Sequence, residues 1–141
     1  MRWSRLQGLI YDIWLPELRL QIHCNAYPLS GSSCVGRYWV TLDKQIIWDC
    51  PKDFSEECAK GAYNDVATRI GDLIREYLDT PKAKLMTAQF ATDGWGLIDL
   101  FRAADRRIGK AALTELRRVT RSAPAKLVLE RRLGLSGRAG A

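Results

Sequence analysis

Gly36-Arg37-Tyr38-Trp39-Val40-Thr41-Leu42-Asp43-Lys44-Gln45-Ile46-Ile47-Trp48-Asp49-Cys50 is the stretch on which the fold turns. Two apolar runs, 36–42 and 45–50, flank Asp43-Lys44, and two residues are the shortest connection that can join antiparallel strands. Neither is the Gly or Asn that such turns favour. A two-residue loop sets the register: Leu42 opposite Gln45, Val40 opposite Ile47 and Trp39 opposite Trp48. Side chains alternate across a strand, so Tyr38, Val40, Leu42 and Ile47 are expected on one face and Trp39, Ile46 and Trp48 on the other. With both faces apolar, the hairpin needs cover on two sides, by helices or by a second subunit. Trp39, Ile46 and Trp48 are therefore the candidate self-association residues, and a homodimer is the expected assembly.

Upstream, Leu18, Leu20, Ile22 and Cys24 alternate with Arg19, Gln21, His23 and Asn25, which predicts a third strand; Tyr27-Pro28-Leu29-Ser30-Gly31-Ser32-Ser33 reads as the loop leading to the hairpin. Before it, Trp3, Leu6, Leu9, Ile10, Ile13 and Trp14 recur at helical spacing, predicting a helix over 3–14 that Pro16 stops. Downstream the periodicity is helical. Asp53 and Glu56 have capping-box spacing, and Ala59, Ala62, Tyr63, Val66, Ile70, Leu73, Ile74 and Tyr77 form one stripe ending near Asp79. Thr80-Pro81 predicts a shorter helix to about Phe90. Thr92-Asp93-Gly94 punctuates the chain; Leu97, Ile98, Phe101, Ala104 and Ile108 mark a further helix with Gly109 as its left-handed stop. Two more helices are expected over 110–121 and from Ser122-Ala123-Pro124 through Leu133. The fold class is thus α+β: an N-terminal helix, a three-stranded antiparallel sheet, then four to five helices packed on the sheet. A single domain over 1–133 with a flexible tail over 134–141 is the expected organisation.

The charge is unevenly placed. Residues 1–100 carry 11 Lys/Arg and 13 Asp/Glu, whereas residues 101–141 carry 11 Lys/Arg and 3 Asp/Glu. Such an asymmetry points to an acidic partner, nucleic acid or an acidic protein. At helical spacing Ala112, Leu113, Leu116 and Val119 fall on one side of 110–121 and Lys110, Thr114, Arg117, Arg118 and Arg121 on the other. Arg106 and Arg107 precede this stripe, and Lys126, Arg131 and Arg132 follow it. Arg106, Arg107, Lys110, Arg117, Arg118, Arg121, Arg131 and Arg132 are the candidate binding residues, each phosphate contact adding a salt-dependent increment. The plainer reading is a solvated helix face whose arginine stems cover apolar surface. Tyr38, Trp39 and Trp48 beside Arg37 would suit base stacking on an open sheet, but aromatic residues at alternating strand positions are also ordinary core material.

Residues that carry chemistry are sparse. No run approaches the roughly 18 apolar residues that span a bilayer, and the apolar opening at 6–11 meets Asp12 without a leader-type cleavage site. A cytoplasmic protein without membrane contact is expected. Cys24, Cys34, Cys50 and Cys58 lack Cys-x-x-Cys spacing, so reduced thiols and no zinc site are expected. His23 is the single histidine, and no sequence spacing pairs it with a nucleophile. Asp43, Asp49 and Asp53 cluster near the hairpin, where turns and caps attract Asp for local reasons. Gly94-Trp95-Gly96 lacks the further glycine and lysine of a phosphate loop, and Cys34 has no evident base beside it. No cofactor or metal is expected. A non-enzymatic interaction protein is the leading functional expectation; a nucleic-acid-binding protein and a small carboxylate-based enzyme are the alternatives.

Three stretches, Trp3-Ser4-Arg5, Gly36-Arg37-Tyr38-Trp39-Val40-Thr41-Leu42-Asp43 and Asp105-Arg106-Arg107-Ile108-Gly109-Lys110 with Leu113, resemble an uncharacterised family of short bacterial proteins of the kind carried on mobile integron gene cassettes. Lys44, Ala111 and Ala112 depart from the family pattern, which has Gly after the strand's Asp and basic residues after the Gly-Lys. The resemblance implies a bacterial accessory protein and supplies no catalytic residue. It draws Asp105, Arg106, Arg107 and Lys110 together as a unit, for which the physical alternative is an Asp105–Arg salt bridge at a structural corner.

Overall fold

The computed structural model of the chain describes residues 3–28, 34–50, 66–90, 93 and 96–135. Helix α1 (Trp3–Ile13) leads through a 3-10 turn (Pro16–Leu18) into strands β1 (Leu20–Pro28), β2 (Cys34–Leu42) and β3 (Gln45–Cys50). Helices α2 (Val66–Leu78), α3 (Leu97–Ala104), α4 (Lys110–Val119) and α5 (Ala123–Arg132) follow, with a second 3-10 turn (Lys82–Lys84) between α2 and α3. The sheet is antiparallel in the order β1-β2-β3. This is the α+β arrangement expected. The capping box at Asp53 and Glu56, the start of the helix they were to open, and residues 136–141 lie outside the described residues.

The hairpin turns on Asp43 and Lys44, both in the left-handed region at φ 49° and 70°. That is the backbone a two-residue hairpin demands, here imposed on two residues that have a Cβ. Leu42 pairs with Gln45 as expected, but a bulge between Val40 and Thr41 shifts the rest: Val40 faces Trp48 and Trp39 faces Asp49. Ile47 is the extra residue. The predicted pairing of Trp39 with Trp48 is therefore wrong, because one inserted residue exchanges the faces of everything beyond it. Trp48 joins the face of Val40 and packs against the core, whereas Trp39 stays on the opposite face with Asp49.

Strand β1 starts two residues later than its alternation suggests. Leu18 belongs to the 3-10 turn, and Arg19 at φ 55° swings the chain into the sheet. It continues through Tyr27 and Pro28, read from sequence as loop, because their backbones pair with Val35 and Cys34.

The core lies between the sheet and the helices. Leu20, Ile22, Tyr38, Val40 and Leu42 meet Leu6 and Ile10 of α1, Ile70, Leu73, Ile74 and Tyr77 of α2, and Leu97, Leu100 and Phe101 of α3. Leu6 and Ile10 of α1, Ile70, Leu73, Ile74 and Tyr77 of α2 and Leu113 and Leu116 of α4 are buried at the spacing read from sequence, but Leu9 and Val119, read into the same stripes of α1 and α4, are exposed. In α5, Ser122 caps the N-terminus by accepting the Ala125 N–H at 3.2 Å, and Pro124 occupies the first turn.

Two predicted helix boundaries are corrected. Residues 80–90 form only the 3-10 turn and loose turns, and the Arg102 guanidinium of α3 donates to their carbonyls at Leu85 (Nε, 2.7 Å) and Ala88 (Nη2, 2.6 Å). Helix α3 ends at Ala104 rather than at Ile108. There the chain pairs with the end of α1: Leu15 N–H donates to Ala104 O at 2.9 Å and Arg106 N–H to Ile13 O at 2.7 Å. Gly109, at φ −82°, is not a left-handed stop but the residue that precedes α4.

Candidate interaction site

The eight cations singled out in the C-terminal part divide into two groups of four. Arg107 is held by Asp105, which is fully buried: Nε donates to Oδ1 at 2.9 Å and Nη2 to Oδ2 at 2.7 Å. The Arg107 backbone N–H and the Tyr77 hydroxyl also donate to that carboxylate, at 2.9 and 2.7 Å. The bond to Asp105 raises the pKa of Arg107, and burial, reinforced by the Asp105 charge, raises that of the Tyr77 hydroxyl. Arg132 reaches back from α5 to the carbonyls of Ala103 (3.0 Å), Asp105 (2.5 Å) and Ile108 (2.8 Å), and its burial lowers its pKa. Arg131 pairs with Asp43 at the hairpin turn, and Arg118 with Glu115 one turn earlier on α4.

Those four are engaged within the chain. Arg106, Lys110, Arg117 and Arg121 are exposed and have no ion-pair partner among the described residues. Lys110 and Arg117 lie two turns apart on one side of α4, with Thr114 between them. The structure thus keeps half of the candidate basic surface and turns Arg107 and Arg132 inward.

The three aromatic and apolar candidates on the sheet also separate. Trp48 faces the core. Trp39 is half-buried: His23 stacks on it with centroids 4.9 Å apart and planes 18° off parallel, and the Arg37 guanidinium lies 4.8 Å from its ring centre. Arg37 in turn grips Asp49 bidentately, at 3.1 and 2.9 Å. His23 Nε2 and Thr41 Oγ1 are 3.0 Å apart, and partial burial lowers the imidazole's pKa. Ile46 is 55% exposed, high for a strand residue of this size.

Ile46 stands at the rim of a groove of about 680 Å³. Residues 46–49 form one wall; four consecutive residues line it, so the wall is the edge of β3 and not one of its faces. Gly96, Asp99 and residues 121–124 form the other. Local side-chain bonds tie this wall together. Asp93 accepts the N–H groups of Leu97 (3.0 Å) and Ile98 (3.1 Å) and so caps α3, while Asp99 accepts from Thr120 (2.6 Å) and Arg102 (3.2 Å), tying the end of α4 to α3. Nothing in the sequence spacing announces this groove. Its only local trace is Asp93 standing four residues before the apolar run at Leu97.

Among the described residues no group of three His, Cys, Asp or Glu converges as a metal site. Asp43 and Asp49 are each taken up by an arginine, and Asp53 lies outside the described residues. No disulfide joins Cys24 to Cys50; burial raises the pKa of Cys24. Among the described residues no helix is long and apolar enough to cross a membrane.

Residues 2–68 match the model of the SF0329 protein family. The match includes Trp3-Ser4-Arg5 and the β2 stretch 36–43, and it is consistent with the resemblance to an uncharacterised family; the stretch at 105–110 lies outside it. Neither the curated proteins nor the solved structures contain a match.

Proposed function

We propose that the chain is a non-catalytic interaction protein that associates with a second copy of itself through its sheet. The observation that carries this reading is Ile46, an aliphatic side chain 55% exposed on what is, among the described residues, an edge strand. Edge strands are ordinarily protected by charge or proline, and this one offers Ile46 and Ile47. Asp49, Asp93, Asp99 and Asp105 are, by contrast, committed to structure, each holding a guanidinium, a hydroxyl or a helix end. That no disulfide joins Cys24 to Cys50 is in keeping with a reducing, cytoplasmic setting, and the family resemblance supports a bacterial accessory role of integron-cassette type.

Sedimentation analysis of the purified protein tests the assembly. A dimer is expected, and Ile46→Lys, at an exposed site where folding is not at stake, should raise its dissociation constant at least about tenfold. A monomer at every concentration removes this reading.

A second reading, nucleic-acid binding, is favoured by one observation: Arg106, Lys110, Arg117 and Arg121 are exposed and without ion-pair partners among the described residues. Filter-binding titrations against single- and double-stranded DNA and RNA should show affinity that falls as salt rises. Lys110→Glu/Arg117→Glu should reduce the log–log salt slope by about 0.9 for each phosphate no longer neutralised. Binding curves that stay flat at low salt dispose of it.

A further inference from the structure

We propose that the groove beside β3 binds an extended, acidic segment of a different protein, added as a fourth strand against the β3 edge. Its occupant is a segment of a different protein, which would compete with a second copy for the edge at Ile46; the inference rests on the reading of the chain as an interaction protein and names another partner for that edge.

Three features of the groove select that occupant. The first is the backbone of β3, which is hydrogen-bonded to β2 on one side and has no described strand on the other. A strand there would lie about 4.8 Å away and exchange main-chain hydrogen bonds with β3. The far wall, formed by Gly96, Asp99 and residues 121–124, closes the slot on its other side.

The second feature is apolar: Ile46, Ile47 and Pro124 line the groove, and alternate side chains of an added strand would meet them. The third is charge. Asp49 and Asp99 line the groove but are compensated, Asp49 by Arg37 and Asp99 by Arg102. Arg121 is exposed with no ion-pair partner, so among the described lining residues it is the uncompensated charge. The complement is a carboxylate flanked by β-branched residues, in a segment without proline. Arginine suits that role because its planar fork meets a carboxylate bidentately.

Fluorescence anisotropy with three short labelled peptides tests this: one alternating glutamate and valine, one alternating lysine and valine, and the glutamate peptide with a central proline. The glutamate peptide is expected to bind, the lysine peptide to bind at least about tenfold more weakly, and the proline peptide to lose binding because it lacks the ladder N–H. Arg121→Glu, a surface change that leaves the core intact, should reverse the preference between the first two. Equal binding of the proline peptide would overturn strand addition, and an unchanged preference in Arg121→Glu would overturn the charge assignment. No binding of the glutamate peptide at low salt overturns the proposal outright. Sedimentation of the same samples separates the two readings. A protein that is monomeric yet binds the glutamate peptide fails as a self-associating module and passes here, while a dimer that Arg121→Glu dissociates places a second copy in the groove and overturns this inference.

Discussion

Asp105→Ala lowers the unfolding free energy by about 2–4 kcal/mol, because the buried Tyr77 hydroxyl loses its acceptor while the partly exposed Arg107 guanidinium keeps some access to water. The loss is large because one carboxylate satisfies four donors at once: the Tyr77 hydroxyl, two guanidinium nitrogens of Arg107 and the Arg107 backbone N–H. Asp105 is 0% exposed, so water does not replace it without opening the core around Tyr77 and Phe101. Urea denaturation followed by tryptophan fluorescence measures the change. Two further variants separate the contributions. Asp105→Asn retains an acceptor for Tyr77 but no charge for Arg107, and should fall between Ala and the parent; Tyr77→Phe removes only the hydroxyl and should cost about 1–2 kcal/mol. An Asp105→Ala protein within about 1 kcal/mol of the parent would show that the carboxylate does not organise this corner.

The second large effect is at Arg132. Its guanidinium collects the carbonyls of Ala103, Asp105 and Ile108, where α3 ends and the chain turns toward α4. Those carbonyls have no helical partner because α3 stops at Ala104 to pair with the end of α1. Arg132→Leu keeps much of the stem's packing while taking the guanidinium donor from the carbonyls of Ala103 and Ile108, the Asp105 carbonyl keeping the Ile108 N–H at 3.1 Å, and about 3 kcal/mol of stability should disappear. Arg132→Lys should recover only part of it, since a single ammonium on a flexible stem does not reproduce a planar fork spanning three acceptors. Equal stability of Arg132→Lys and the parent would reduce the residue to a generic cation. These two residues also govern how the basic surface is tested: a charge reversal at Arg107 or Arg132 would weaken any partner by unfolding the corner, whereas Lys110 and Arg117 are exposed and report on the surface itself.

The Asp105 corner joins the α1 end, α3 and α5. Backbone pairing joins residues 13–15 to 104–106, the carboxylate joins that segment to α2 through Tyr77, and Arg132 joins it to α5. The stretch 105–110 singled out by resemblance is in this structure the point where α1, α2, α3 and α5 meet. Its Asp105–Arg107 pair is the structural corner that was the physical alternative to a ligand site. Arg106 and Lys110, from the same stretch, remain outside it and exposed.

By itself the sequence determined the α+β class, the hairpin about Asp43-Lys44, the bounds of α1 and α5 to within a residue or two, and the apolar face of α2 over its described residues. All of these follow from spacings within one element, where side chains three, four or two residues apart share a face whatever the rest of the chain does. Tertiary structure alone decided the bulge that separates Trp39 from Trp48, the replacement of helix over 80–90 by turns under the Arg102 guanidinium, and which arginines face water. Arg131 meets Asp43 across 88 positions of chain, and Arg132 meets Ala103 across 29. A charge counted along the sequence becomes surface or scaffold according to which distant acceptor comes within hydrogen-bond reach, and local periodicity carries no record of that distance.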